Sequence, residues 1–340
     1  MNKNRNEKNN CHYRDCEAMT FHTLTLALVL AMGIISESRA AEVETPFCKN
    51  THGGVVTCIE KLADKNGNNS CGDNCTYKVI EENGKQVLHV YKEDISKPAT
   101  IRDGAFSPKF YAGNQVLDAT GNALPLNNIV LDNDFENIRS YAFAESGAQI
   151  SSASGKFIVN KTGIYAFYYG SKRTTMNADV IFNNEGHYVL EGADINGDVI
   201  ISDGVTEMGI YALGATRIDG NIIIPQSVEK IRLDSLLLYS LTGQIYCASG
   251  IENCYNMIIA GCSEKEGRTE CFNSAKNLLD SKKFSAYPDG CLKLGAGLEC
   301  TKCANNNFKL SDGVCRRVRY TPAEAAEVAG ETNTIFLYYK

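Results

Sequence analysis

The chemistry open to this chain is limited by what its reactive residues sit beside. Downstream of residue 40 the histidines are His52, His89 and His187, each isolated from the others in sequence. There is no His-Glu-x-x-His pair for metal-assisted hydrolysis and no Gly-x-Ser-x-Gly elbow for a serine nucleophile. A phosphate-cradling glycine loop is also missing. No nucleophile, base and oxyanion donor can be named together, so the sequence predicts a non-enzyme with no catalytic residue, no cofactor and no metal. Asp132, Asp134 and Glu136 in "LDNDFEN" alternate as calcium ligands do. The stretch lacks the glycine and the full spacing of a calcium loop, so it reads as a polar turn.

Cysteine is the one reactive type in abundance, with 14 in 340 residues. Cys11 and Cys16 precede an apolar run. The rest form two clusters: Cys48, Cys58, Cys71 and Cys75, then Cys247, Cys254, Cys262, Cys271, Cys291, Cys300, Cys303 and Cys315. The set Cys291, Cys300, Cys303 and Cys315 has two readings, a pair of disulfides or a four-thiolate zinc site. The compartment decides between them. Residues 21 to 36, "FHTLTLALVLAMGIIS", follow a mildly basic start and precede Ser38 and Ala40, the small residues a signal peptidase reads. This is a secretory signal peptide with cleavage after Ala40; as an uncleaved anchor the run is short of the ~20 residues a span needs. Export favours disulfides, with Cys48–Cys58 and Cys71–Cys75 as the first expected pairs and Cys247–Cys254 pinning a later element. Localisation is then secreted, periplasmic or cell-surface. The net charge of −6 gives no electrostatic footprint for nucleic acid. No membrane span is expected after cleavage.

The elements that would position a site come from a repeat. Apolar triplets start at Ile129, Phe157, Val180, Val199, Ile222 and Ile245, at offsets of 28, 23, 19, 23 and 23. A period in the low twenties means a solenoid: each copy adds one short strand, a turn and a helical or irregular return, and stacked copies share a core. Side chains alternate along a strand, so Val199 and Ile201, Ile222 and Ile224, and Ile245 and Cys247 face inward. Phe143, Phe167 and Leu213 plug the opposite wall. The middle residues Ile158, Ile181, Ile200, Ile223 and Tyr246 then point outward as an apolar column, beside the polar residues Asp198, Asn221 and Gln244. A contiguous apolar stripe marks a contact site unless a neighbouring layer covers it. These eight residues are the candidate binding face.

The segments "VIISDGVTEMGIYAL" and "IIIPQSVEKI", with Ala-Phe near 106, 143 and 167, altered to Ala-Leu at 213 and lost near 236, resemble the BspA-like family of bacterial leucine-rich repeats. The stretch "NSCGDNCTYKVIEENGKQVLHVY" from Asn69 resembles the segment that often precedes such repeats. The resemblance covers about residues 69 to 247. It implies an α/β repeat fold, a short irregular right-handed leucine-rich-repeat solenoid of about 23-residue coils with disulfide-bonded caps. It also implies a secreted or surface-displayed protein whose partner is a protein or a cell surface.

The flanks complete the expected layout. Residues 1–40 are the leader and 41–97 an N-terminal cap, with a β-hairpin turning at Asn83-Gly84. Residues 98–246 are the repeats. Residues 247–318 form a Cys-rich cap with a short amphipathic helix in "CFNSAKNLLDSKKF", and "GCLKLGAGLECTKCANNNFKLSDGVC" resembles one unit of growth-factor-receptor-like cysteine-rich modules. Residues 319–340 are a tail, with a helix capped by Thr321 and Glu324 and a strand from Thr334 to Tyr339.

Overall fold

The computed structural model describes residues 49–50, 56–57, 61–108, 115–163, 165–168, 172–304 and 308–317. The leader, Cys48 and Cys58, and the tail from residue 318 onward lie outside the described residues.

The repeat is a β-solenoid of about five coils of ~23 residues. Wall A is six parallel strands: Lys156–Val159, Asp179–Phe182, Val199–Ile201, Ile222–Ile224, Ile245–Cys247 and Phe284–Ala286. In register, Val180 lies beside Val199 and Val199 beside Ile222, as the triplet spacing predicts. Wall B contains Asn128–Leu131, Gln149–Ser152, Thr175–Met176, Asp194–Ile195, Arg217–Ile218 and Ser240–Leu241, again parallel. Wall C is made of two-residue strands: Thr100–Ile101, Asn137–Ile138 and Lys161–Thr162, and separately Glu207–Met208 with Lys230–Ile231.

Two expectations change. The return segment, expected to be helical or irregular, is short strand and corner turn: two further strands follow Lys156–Val159, Val199–Ile201 and Ile222–Ile224, and one, Asp194–Ile195, follows Asp179–Phe182. Ile129–Leu131 is not the first rung of the triplet column; it belongs to wall B, and its offset of 28 to Phe157 is a step between walls.

Side chains from the three walls fill the interior. Val199, Ile222, Ile224, Ile245 and Cys247 are fully buried and Ile201 nearly so, which matches the alternation rule. Each such aliphatic contributes ~2 kcal/mol of transfer free energy on burial. From the corner opposite, Phe106, Phe143 and Phe167 stack at 5.3 and 5.4 Å, and Tyr77 closes the stack edge-on at 6.3 Å. Leu190, Leu213 and Leu236 are buried at the equivalent places in later coils. The plug thus persists at Leu236, where the Ala-Phe letters are lost.

Coil spacing leaves little room where backbones cross. A Cβ on Gly220 would stand 2.2 Å from the carbonyl oxygen of Gly197, and one on Gly243 would stand 2.3 Å from that of Gly220. Glycine at these positions is a packing requirement.

Both solenoid ends are capped. The hairpin Cys75–Glu82 with Lys85–Lys92 turns at Asn83 and Gly84, both at positive φ, and its second strand pairs in parallel with Asn128–Leu131. Cys71 and Cys75 are bonded at its base. At the far end, α1 (Ile251–Cys262) buries Cys254, Ile258, Gly261 and Cys262, an i, i+4, i+7, i+8 stripe. It crosses Lys230–Ile231 so closely that a Cβ on Gly261 would lie 2.1 Å from the Ile231 carbonyl oxygen. α2 (Thr269–Asp280) packs beside it, in the stretch expected to be helical. Disulfides Cys247–Cys254 and Cys262–Cys271 tie these helices to the last coil and to each other.

The boundary drawn between 246 and 247 falls inside the strand Ile245–Cys247, and Phe284–Ala286 extends wall A beyond it. The chain then enters a small module of two hairpins, Cys291–Leu294 with Cys300–Cys303 and Phe308–Ser311 with Val314–Arg317. Disulfides Cys291–Cys300 and Cys303–Cys315 hold it.

Candidate binding surface

The outward column forms in register. Ile181 pairs with Ile158 on one side and Ile200 on the other, and Ile223 pairs with Ile200 and Tyr246. It is not an open face. Ile200 and Ile223 are 8% and 1% exposed, in one apolar cluster with Cys291, Leu294, Cys300 and Cys315. Ile181 and Tyr246 pack at the edge of that cluster with Tyr287, Ala296 and Leu298. The C-terminal module therefore lies over the middle of the column. The physical cause is ordinary burial: a row of isoleucines on a strand face recruits the nearest apolar surface, here one supplied by the same chain. Lys293 pairs with Asp203 at 2.7 Å, and the Gly297 amide donates to Asp198 at 3.1 Å, fixing the module's position.

The flanking polar residues are likewise engaged. Asp179 Oδ1 accepts from the Asp198 amide at 2.8 Å, Asp198 Oδ1 from the Asn221 amide at 2.8 Å, and Asn221 Oδ1 from the Gln244 amide at 3.0 Å. Gln244 accepts from Ser285. Asp198, Asn221 and Gln244 thus link coil to coil, with the side chains of Asp179, Asp198 and Asn221 each accepting a backbone amide of the next coil. As an exposed binding face, the column is corrected at Ile200, Ile223 and Asp198, which this layer buries, while Ile158, Ile181, Tyr246, Asn221 and Gln244 are half-buried.

The acidic stretch is also engaged. Asp132 contacts His89 Nδ1 at 3.0 Å, and Glu82 contacts His89 Nε2 at 3.0 Å. Glu136 takes Lys92 at 2.6 Å and the Ala99 amide at 2.7 Å. These carboxylates join the hairpin cap to the first coil and do not converge on a common point. Among the described residues, the sulfurs of Cys291, Cys300 and Cys315 lie within 4.8 Å of one another, but all three are in disulfides and offer no thiolate to a metal.

A different feature stands out at the corner between walls C and B. Tyr141, Tyr165, Tyr188 and Tyr211 occupy the same place in successive coils, and all four are left-handed, with φ of 59°, 60°, 56° and 53°. Asp234 takes the place in the next coil at 55°, and Gly104 holds it before Tyr141 at 61°. The reason is local. The residue two places later must dive inward as the Phe or Leu plug, so the chain reverses sharply at the tyrosine. Corner amides then bond to the next coil: Tyr165 N–H to Tyr188 O, Leu190 N–H to Ala212 O and Leu213 N–H to Ser235 O.

The rings form a continuous column, tilted at its first two steps and stacked at the third. Centroids are 5.4 Å apart for Tyr141–Tyr165, 4.9 Å for Tyr165–Tyr188 and 5.4 Å for Tyr188–Tyr211, with Tyr168 edge-on to Tyr165 at 5.1 Å. Arg268, at the start of α2, closes the far end: it donates to the Tyr211 hydroxyl at 2.6 Å and pairs with buried Asp234. The four residues are half-buried, each ring lying against the next. Burial, then the Glu191 carboxylate and the neighbouring tyrosines, hold the Tyr165 hydroxyl protonated well above the usual tyrosine range.

Sequence reasoning passed over this corner, although its signal was present. In "SYAF", "IYAF", "HYVL" and "IYAL" a tyrosine precedes the plug by two residues at offsets of 24, 23 and 23.

Comparison with family models, with curated proteins and with solved structures finds no match to this chain.

Proposed function

We propose that this chain is an exported, non-enzymatic recognition protein of the BspA-like leucine-rich-repeat kind, and that it contacts a protein or cell-surface partner through the tyrosine corner. The observation that carries this reading is the run of four left-handed tyrosines. A non-glycine residue in that conformation costs ~1–2 kcal/mol. An aromatic pair returns ~0.5–1.5 kcal/mol. Four penalties against three ring pairs come out near zero or unfavourable. Glycine takes the same turn without the penalty, as Gly104 does. Burial of part of each ring, at ~25 cal/mol per Å² of apolar area, offsets the remainder, so stability is about neutral between tyrosine and glycine at this corner. Recognition favours tyrosine: it offers a large, stiff, amphipathic contact at low entropic cost, and is enriched at interfaces for that reason. Five disulfides among the described residues support the exported setting. Among those residues no helix is long and apolar enough to cross a membrane.

The test replaces Tyr165 and Tyr188 together with asparagine, which tolerates the left-handed turn. Wild type and variant are compared for binding to intact cells and to an array of purified surface proteins and glycans. Loss of two interface tyrosines at ~2 kcal/mol each weakens binding roughly a thousandfold. Equal binding by both, with an unchanged fold, removes the tyrosine corner as the contact. Absence of binding by wild type leaves the solenoid a structural envelope component.

A further inference from the structure

We propose that Cys291, Cys300, Cys303 and Cys315 form a single thiol-exchange set with two available connectivities, and that this set latches the C-terminal module over the isoleucine column. Three observations meet here. First, the two disulfides are side by side: the sulfurs of Cys300 and Cys315, which are not bonded to each other, lie 3.1 Å apart. Second, the remaining two cysteines, Cys291 and Cys303, are direct cross-strand partners in the hairpin. The alternative pairing, Cys300–Cys315 with Cys291–Cys303, thus has one pair of sulfurs in contact and the other pair of residues at facing strand positions. Third, the contact with Ile200 and Ile223 is built in part from Cys291, Cys300 and Cys315 themselves. Re-pairing these sulfurs remakes the surface that covers the column.

Access favours one entry point. Cys303 is half-buried, while Cys291, Cys300 and Cys315 are buried. A small monothiol, as thiolate, attacks Cys303 Sγ; the Cys303–Cys315 bond breaks and its electron pair leaves on Cys315. That thiolate attacks the neighbouring Cys300 sulfur, forms Cys300–Cys315 and expels the Cys291 thiolate. Cys291 attacks Cys303 in the mixed disulfide, forms Cys291–Cys303 and returns the monothiol as thiolate. Two disulfides break and two form; the added thiol is a catalyst and no net electrons move. The disulfides Cys71–Cys75, Cys247–Cys254 and Cys262–Cys271 have every sulfur-bearing residue at 5% exposure or less, and none is half-buried like Cys303. The latch is separate from the tyrosine corner and operates whether or not that corner binds.

The experiment treats the folded full chain with a catalytic amount of monothiol, quenches by alkylation and maps linked peptides. Cleavage after Lys293, Lys302 and Lys309 places the four cysteines on four peptides. The expected result is loss of the Cys291–Cys300 and Cys303–Cys315 links with gain of Cys300–Cys315 and Cys291–Cys303, while the other three disulfides persist. Carbene footprinting in parallel should show increased labelling of the stretch 218–230, which carries Ile223. The double variant Cys303→Ser, Cys315→Ser, which keeps one disulfide in the module, should show no thiol-dependent increase. Recovery of the starting links alone, or loss of all five disulfides together, overturns the exchange set. Re-pairing without added label at 218–230 overturns the latch.

Discussion

Ile223 and Ile224 are neighbours on one strand, and truncating each should damage a different part of the molecule. Ile224 points into the solenoid and is fully buried, whereas Ile223 points the other way and is covered by the C-terminal module. Isoleucine to alanine removes three carbons, about 2.4 kcal/mol of transfer free energy at ~0.8 kcal/mol each, plus a cavity contribution that brings the total to ~3 kcal/mol. The change in strand propensity is common to both sites and cancels in the comparison. For Ile224→Ala the loss falls on the shared core, so wall A, wall B and the module should all exchange amide hydrogens faster and the melting temperature should drop. For Ile223→Ala it falls on docking alone. Three kcal/mol raises the undocked population by roughly a hundredfold. Exchange of the Gly297 amide, which bonds Asp198 across this contact, should quicken by about that factor, while the amides paired within the module's hairpins and those of Val180, Val199 and Ile222 keep wild-type protection. Mass-resolved hydrogen exchange on the two variants checks this. Identical profiles for both, global or absent, would refute the assignment of Ile223 to a separable interface.

Gly220→Ala places a methyl carbon 2.2 Å from the Gly197 carbonyl oxygen and should cost ~3 kcal/mol in urea unfolding as the two coils are forced apart. His187 accepts the Ile210 amide on Nδ1 at 2.7 Å, and burial, followed by the Arg232 charge, holds its pKa below the ordinary 6.5. The unfolded chain therefore binds more protons as pH falls. The contribution of His187 to stability is full above about 6.5 and is lost as pH drops through the lower folded-state value. Urea midpoints on either side of that range should fall with acidification more steeply in wild type than in His187→Asn, whose side-chain oxygen still accepts the amide.

What the sequence made legible was the period and the inward face. Val199, Ile201, Ile222 and Ile224 alternate as strand residues must, and the 23-residue offset fixed their stacking. The number of walls was hidden because walls B and C use strands of two residues in most coils, such as Asp194–Ile195 and Lys230–Ile231. Two residues cannot express a period of two, so these strands read as turn. The tyrosine corner was hidden for another reason. Left-handed turns are anticipated from glycine and asparagine, and four tyrosines there break the local rule that would have revealed them. The covering of the column had a visible sign. A strand with one wet face alternates, and one buried on both faces is continuously apolar. Val199-Ile200-Ile201 and Ile222-Ile223-Ile224 are continuous, and all six residues are buried. In Ile245-Tyr246-Cys247 the outward place goes to a tyrosine, and there the burial relaxes at the middle residue. Phe157-Ile158-Val159 and Val180-Ile181-Phe182 are as continuously apolar, yet Ile158 and Ile181 are half-buried, so the run of apolar letters marks the covered sheet and not how far along it the cover reaches. The apolar surface that supplies that cover is the cysteine module, which begins at Cys291, 68 residues after Ile223 on the same chain.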